Sequence, residues 1–394
     1  MKLLSLTVLA VIVTTSAQAA IFDPAPVKVT NGFSIVPQLE TSVSYNDNIY
    51  TTEDNLVSST ITISKPSFIF GTDDGINRYG GEYELVAGFY SENSDDNYVD
   101  HNLTLAAHTE YTDKHRTDSN ADFSNLHEDR GSDLSESESS DYNEDPYKYN
   151  TYLGHAYYQY GAESALINVG GGLQYYAKEY QNYSDDTDAY DYSTWTLTLD
   201  SDYQVGDVTY LTSDLSLAST VYPDYESKDN TNSTVYLGVR WEGMDKAVGE
   251  IKLGYQYKDF DDDSVDDFNG VSTDIGIVWK PLQRSNFELH IIRETEESYN
   301  VGDYVLVLSS SLAWTHDWNK KFSSDISLIY SNEDYANADR EDDVITTSLD
   351  LNYDFTRWFT MTAGYEYADT DSTSNASGII YTQNVVSLGV TVAL

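Results

Sequence analysis

The sequence predicts an all-β fold, a single transmembrane antiparallel β-barrel of about eighteen strands in the bacterial outer membrane. Three observations predict it: apolar and polar residues alternate with period two, aromatic residues mark the ends of the apolar faces, and short connections alternate with long acidic ones. The chain has 394 residues, no cysteine, 66 acidic against 21 basic side chains, and 13% aromatic residues. This composition excludes a disulfide scaffold, a thiolate metal site and nucleic-acid binding by charge neutralisation. The aromatic content excludes an acidic disordered chain.

The first nineteen residues predict a secretory signal peptide. Lys2 precedes an apolar run from Leu3 to Val13, and Ala17-Gln18-Ala19 is an A-x-A cleavage signal. No later segment approaches the roughly 18 consecutive apolar residues of a membrane helix. We therefore expect a signal peptide at 1–19, a periplasmic N-terminal segment at 20–32 and an outer-membrane β-barrel at 33–394.

Period-two segments predict the strands in order. In the last strand Val386, Leu388 and Val390 share one face, and Ser387 and Gly389 share the other. The eighteen predicted strands are 33–45, 59–70, 78–90, 101–111, 115–126, 148–160, 164–178, 191–204, 207–221, 232–241, 248–259, 270–280, 286–297, 304–316, 321–331, 343–354, 358–369 and 380–394. A count of sixteen stays open, because 115–126 is weakly apolar and 59–70 contains Pro66 beside an apparent slip of phase.

Aromatic residues stand near the ends of the apolar faces, as expected for the girdles of a membrane barrel. They include Trp195 with Tyr203, Tyr304 with Trp314, and Trp241 and Trp279. The connections alternate in length. The short ones favour Lys and Arg and are assigned to the periplasm, whereas the long ones are crowded with carboxylates and are assigned to the cell surface.

A barrel of sixteen to eighteen strands is wide enough to leave an aqueous channel. Strand parity predicts the polar side chains that line it: Glu40, Glu84, Glu110, Asp118, Lys178, Asp200, Asp214, Tyr236, Arg240, Lys252, Gln256, Asp274, Glu288, His290, Asp325, Asp350 and Glu366. Acids outnumber bases, which favours passive flow of cations. Tyrosine, amide and carboxylate side chains also suit a sliding sugar chain, although any water-filled barrel has a polar lining.

The longest connection, 127–147, predicts a constriction. Part of it is expected to fold inward and to place Asp133, Glu136, Glu138 and Asp141 near the mouth of the barrel. A mobile surface loop is an equal alternative, because its Ser-Glu-Ser-Glu-Ser-Ser run has a disordered composition.

Enzymatic and metal-binding motifs are not found in the sequence. The seven histidines are spread along the chain with no shared motif, and neither a phosphate loop nor a nucleophile elbow is present. The acidic run from Asp261 to Asp267 lacks the Gly and Glu positions of an EF-hand. We therefore predict no catalysis, cofactor or metal site, and a solvated loop facing lipopolysaccharide.

The string Ser44-Tyr45-Asn46-Asp47-Asn48-Ile49-Tyr50, shortly after Val36-Pro37-Gln38-Leu39, resembles the start of a family of outer-membrane β-barrel porins associated with bacterial capsule and exopolysaccharide gene clusters. The resemblance implies a passive conduit that exports a polysaccharide with the help of a periplasmic export protein. Two alternatives remain open: a cation-favouring diffusion porin for small solutes, and a structural or adhesive surface barrel.

Overall fold

A computed structural model shows one closed β-barrel. The structure describes residues 22–30, 32–136, 145–162, 164–244, 246–299, 301–374 and 379–394. The predicted signal peptide, 1–19, lies outside the described residues, and the division of the chain into segments stays a prediction.

Nineteen strands form a single antiparallel sheet among the described residues. They are β1 Val27–Thr30, β2 Phe33–Asn46, β3 Ser59–Asp73, β4 Arg78–Tyr90, β5 Tyr98–Thr112, β6 His115–His127, β7 Lys148–Tyr160, β8 Ile167–Tyr180, β9 Tyr192–Gly206, β10 Thr209–Val221, β11 Asn230–Met244, β12 Ala247–Phe260, β13 Phe268–Leu282, β14 Ser285–Glu297, β15 Tyr304–Asp317, β16 Phe322–Tyr335, β17 Glu341–Thr356, β18 Phe359–Ser372 and β19 Tyr381–Ala393.

Eighteen of these strands, β2 to β19, make up the barrel wall. Each pairs with its neighbours in sequence, and β19 closes the ring by pairing with β2 from Val385 opposite Asn46 to Ala393 opposite Gln38. Closure leaves no sheet edge in hydrocarbon, where each unpaired backbone group costs several kcal/mol. The predicted fold class and the count of eighteen are confirmed, and every predicted span overlaps one observed strand.

One strand was not predicted. β1 lies within the segment assigned to 20–32 and pairs only with the start of β2, where Val27 is opposite Ile35. β3 occupies one edge of β2 along its length. β1 therefore pairs with the other edge of β2, the edge that β19 also uses, just beyond the end of β19. Four residues are too few for a periodic pattern, so the sequence carries no signal for β1.

The apparent slip of phase in β3 has two causes. The described ladder between β3 and β4 is interrupted at Pro66 and resumes in the same register, because proline has no N–H to donate. Ile61 shares the face of Ser44 and is 7% exposed, because it packs with Ile49 and Tyr50 of the β2–β3 connection. The apolar residues at this end of β3 therefore cover the inner side of a loop.

The described connections contain only short helical pieces, at Ser94–Asp96, Asp133–Ser135, Ser184–Thr187, Asp188–Tyr190 and Glu226–Lys228. None of the helices in the described ranges has the length and apolar composition to cross a membrane.

Candidate channel lumen and extracellular mouth

The two faces of the barrel wall differ in chemistry. One face exposes large apolar side chains such as Leu237 (67% exposed) and Leu253 (58%), which is the expected surface towards lipid. The other face holds the side chains of opposite parity, such as Tyr236 and Lys252. By strand register all seventeen residues predicted to line the lumen belong to this second face. That they line a conducting pore stays a prediction.

Carboxylates lie next to the basic side chains on this inner face. The ammonium of Lys252 lies 2.7 Å from an oxygen of Asp214 and 3.3 Å from one of Glu250. The guanidinium of Arg240 lies 2.7 Å from Asp202. These cations are therefore neutralised locally and do not offset the carboxylates elsewhere on the wall.

Two pairs of aspartates face each other directly across neighbouring strands of the inner face. Asp200 is opposite Asp214, and Asp325 is opposite Asp350. Like charges directly opposite each other destabilise a sheet. Because Lys252 neutralises Asp214, the net negative charge of these pairs comes from Asp200, Asp325 and Asp350.

The connection after β6 crosses the mouth of the barrel. The carboxylate oxygens of Glu136 accept hydrogen bonds of 2.7 and 2.6 Å from the two terminal nitrogens of Arg340. Glu136 lies between β6 and β7, whereas Arg340 lies between β16 and β17, eight strands away by the shorter path around a ring of eighteen. The strand spacing and tilt give such a ring a diameter of roughly 35 Å. The segment 128–136 therefore extends over the opening, and we call it the crossing segment.

Arg340 is held rigidly where it receives Glu136. Its side chain is 5% exposed, its Nε donates a 2.8 Å hydrogen bond to Asp342, and its guanidinium lies 4.1 Å from the centroid of the Tyr335 ring. A planar guanidinium that bonds a carboxylate through two parallel N–H groups is among the strongest ionic contacts in proteins. This pair fixes the far end of the crossing segment.

A cluster of tyrosines forms around Lys178 below the crossing segment. The Lys178 ammonium lies 4.3, 4.8 and 4.6 Å from the ring centroids of Tyr149, Tyr180 and Tyr299, within range for cation–π attraction. It also lies 3.7 Å from an oxygen of Asp133 in the crossing segment. Tyr299 belongs to the connection between β14 and β15, so two connections meet above β8.

The tip of the β14–β15 hairpin leaves the barrel wall. The described pairing of β14 with β13 stops at Arg293 opposite Thr273, whereas its pairing with β15 continues to Glu297. Beyond that point Thr295 exchanges hydrogen bonds of 2.8 and 3.2 Å with the side chain of Gln256, on the inner face of β12. The tip is thus bent into the lumen.

The bend overturns the expectation that Tyr304 lies in an aromatic girdle at the end of its strand opposite Trp314. Tyr304 instead packs against Phe260 and Phe268, with ring centroids 6.1 and 5.6 Å apart. Those two rings are buried, at 6% and 7% exposure. The period-two pattern runs unbroken through β15 and therefore does not reveal the bend.

The near end of the crossing segment is attached to the first two extracellular connections. Arg130 Nε lies 2.9 Å from an oxygen of Asp96, whose other oxygen accepts a 2.8 Å hydrogen bond from the Tyr50 hydroxyl. Burial and the neighbouring Asp96 raise the pKa of Tyr50 to about 12. Gly131 lies against Thr51, whose hydroxyl donates to the Gly131 carbonyl.

Glu128 is the buried acid of the crossing segment, with 3% exposure. Its carboxylate accepts hydrogen bonds of 2.9 Å from the backbone N–H of Ser135 and from the Tyr180 hydroxyl. Burial, followed by the charge of Asp133, raises the pKa of the Glu128 carboxyl to about 7, although Ser135, Lys178 and Tyr180 oppose the shift. The crossing segment therefore contains a group that titrates near neutrality.

Of the four residues predicted for a constriction, Asp133 and Glu136 lie in the crossing segment, whereas Glu138 and Asp141 lie outside the described residues. Sequence reasoning missed Arg340 and Tyr299. Arg340 carried a signal, because it is a single base in the acidic connection from 331 to 342. Tyr299 carried none.

Comparison with known proteins matches residues 22–394 to the model of the family described as "Putative beta-barrel porin 2". No curated protein sequence matches the chain. Among solved structures, the outer membrane protein opdK from Pseudomonas aeruginosa is 12% identical with a TM-score of 0.48, over 91% of this chain and 99% of that one. OpdL from the same organism is 10% identical with a TM-score of 0.47, over 92% and 98%. The FrpB iron transporter from Neisseria meningitidis is 10% identical with a TM-score of 0.46; the match covers 87% of this chain and 62% of FrpB.

Proposed function

The chain belongs to the outer-membrane family described as "Putative beta-barrel porin 2", and we propose that it is a passive, gated channel that favours cations. The observation that carries the proposal is the crossing segment, which extends over the mouth and is fixed at its far end by the Glu136–Arg340 pair. Transport is passive, because the protein provides a water-filled path and solute concentration provides the driving force. Opening requires this pair to separate.

The selectivity rests on the inner face of the wall. The opposed pair Asp325–Asp350 concentrates negative charge there, and Asp200 adds to it, because the nearby Lys252 is paired with Asp214 and Glu250. Low-dielectric walls focus the field of such charges along the lumen. Cations therefore enter at a higher local concentration than anions do.

Reversal potentials in planar lipid bilayers test the selectivity. With KCl at two concentrations across the bilayer, the full chain is expected to pass K⁺ in preference to Cl⁻. Asp350→Asn removes one charge of an opposed pair, so the permeability ratio should fall. Asp263→Asn, an exposed residue of an extracellular connection, should leave the ratio unchanged. Equal permeability of the two ions in the wild type would refute the proposed selectivity.

A second candidate, which concerns the cargo, is export of a capsular or extracellular polysaccharide with a periplasmic export protein. The tyrosines near the mouth favour it. Tyr176 and Tyr192 lie 5.8 Å apart between ring centroids, and Tyr192 lies 5.2 Å from Tyr222, beside the cluster around Lys178. Aromatic rings offer stacking surfaces to sugar rings, and tyrosine hydroxyls exchange hydrogen bonds with sugar hydroxyls.

A deletion strain tests this cargo. Cell-attached and secreted polysaccharide would be measured without the gene, with the wild-type chain restored, and with a chain lacking residues 129–144. Loss of polysaccharide in the deletion strain, with recovery when the wild-type chain is restored, supports export. A changed amount of secreted polysaccharide with the shortened chain indicates that this connection gates the channel. Unchanged polysaccharide in the deletion strain would exclude this cargo and leave the cation channel standing.

A further inference from the structure

The periplasmic end of the barrel has an asymmetric distribution of charge. Three neighbouring turns, at 283–284, 318–321 and 357–358, contain four bases and no acid: Arg284, Lys320, Lys321 and Arg357. The turns at 74–77, 113–114 and 207–208, on another part of the rim, each contain an aspartate. In a chain with formal net charge -45, this basic arc is a local reversal of sign.

Aromatic side chains accompany the basic arc on the outer face. Phe287 lies between Trp279 and Trp314, with ring centroids 5.3 and 5.8 Å apart, and is stacked on Trp314. Trp318 and Trp358, in the turns themselves, are 51% and 46% exposed. Aromatic rings of this kind lie at the level of the lipid headgroups. The bases of the arc are therefore placed beside lipid phosphates.

A cavity of about 620 Å³ opens between two of the basic turns. It is lined by Leu282, Gln283, Arg284, His316, Asp317, Asn319 and Lys320. Arg284 donates a hydrogen bond of 3.4 Å to the Trp318 carbonyl, and Lys320 is exposed. His316 has outward parity with Trp314, and its Nδ1 is buried without a hydrogen-bond partner among the described residues. Asp317 is the acidic residue of the lining, and its strand parity is opposite to that of His316, towards the inner face of the wall.

We propose that this cavity binds the phosphate of an anionic phospholipid in the periplasmic leaflet. Arg284 and Lys320 supply positive charge, and the ring of Trp318, 4.5 Å from that of His316, lies beside the site. Two bases near a membrane surface attract anionic lipid, whereas a zwitterionic headgroup gains little. An acidic protein would not use the outward-facing aromatic rings, so the geometry favours lipid. The site is independent of what the lumen conducts.

The test uses the full chain, delipidated in detergent and examined by native mass spectrometry. Phosphatidylglycerol and phosphatidylethanolamine of equal chain length would be added separately. The wild type is expected to retain phosphatidylglycerol about tenfold better. The double variant Arg284→Gln/Lys320→Gln is expected to lose this preference. Its matched control, Lys114→Gln/Lys246→Gln, also removes two bases from periplasmic turns and should keep it.

Heat-modifiable migration in gels would establish that both variants fold. Equal retention of the two lipids by the wild type, or a full preference in the Arg284/Lys320 variant, would overturn the proposal. Displacement of phosphatidylglycerol by an equal concentration of inorganic phosphate would assign the site to free anions instead. Stronger displacement by a polyglutamate peptide would assign it to an acidic protein partner. Either result contradicts a lipid site.

Discussion

Weakening the pair between Glu136 and Arg340 should open the channel. Glu136→Gln keeps the length and one oxygen acceptor, but it removes the charge and leaves the guanidinium of Arg340 facing an amide. Hydrogen bonds to charged groups contribute about 1.5–3 kcal/mol each. The Glu136 side chain is 24% exposed, which screens part of this, and one acceptor remains. We expect a loss of about 2 kcal/mol, which changes the closed-to-open ratio about 30-fold.

The assay is single-channel recording in planar bilayers at fixed voltage and salt. The variant should spend more time open with unchanged unitary conductance, since the wall is not altered. The control is Asp339→Asn, which removes an equal charge from an exposed residue adjacent to Arg340 in sequence. If Glu136→Gln gates like the wild type, or if Asp339→Asn opens the channel equally, the pair does not hold the mouth closed.

Three further predictions concern the extracellular end. The carboxyl of Glu128 has a pKa of about 7 when the crossing segment lies in the position described, above its ordinary value of 4.5. This state therefore binds the proton more tightly, and it loses up to about 3 kcal/mol of stability as the pH rises from about 4.5 to 7. Open probability should rise between pH 5 and pH 8, and Glu128→Gln should weaken that dependence; a flat wild-type profile would contradict it. Gly131 has φ +79°, and a Cβ there would clash with the connection between β2 and β3, so Gly131→Ala should increase protease cleavage of the crossing segment. The control is Gly75→Ala, at φ +86° with no atom within 4 Å of the added Cβ. It shares the backbone strain and should not increase that cleavage. Asn48 is 0% exposed and donates to two carbonyls, so Asn48→Ala should destabilise the barrel by about 3 kcal/mol; its heat-modification midpoint in gels should fall, and that of exposed Asn269→Ala should change little.

The barrel could be predicted from the sequence because the pattern that specifies it lies within each strand. Apolar residues of the lipid-facing side recur every second residue in a strand, and acidic connections separate the strands. The alternation is preserved across Pro66, because β3 and β4 keep the same register on both sides of the interruption. β1 left no signal, since four residues paired to one neighbour need no alternation.

The mouth could be predicted only in part, because its contacts join residues that are distant along the chain. The composition of 127–147 suggested an inward fold with a carboxylate at Glu136, but the partner at Arg340 depends on which strands face each other after closure. Tyr304 shows the same limit. Its place in an alternating strand predicted a lipid-facing ring, whereas the bend is revealed by the early end of the β13–β14 pairing and by the side-chain bonds of Gln256 and Lys258 to the hairpin.

The contact between the first and last wall strands has a consequence for biogenesis. Asp47, in the string Ser44–Tyr50, accepts hydrogen bonds of 2.7 and 2.8 Å from the backbone and side chain of Asn384, which is 337 residues away. The seam therefore cannot form until almost all of the polypeptide has been delivered, and contacts of such long range form late and slowly. Until then the edge of β2 from Gln38 to Asn46 is unpaired, and such an edge is prone to pair with other chains. A factor that shields or templates this edge during insertion would act on the nascent barrel, and release would coincide with engagement of Asp47 by Asn384.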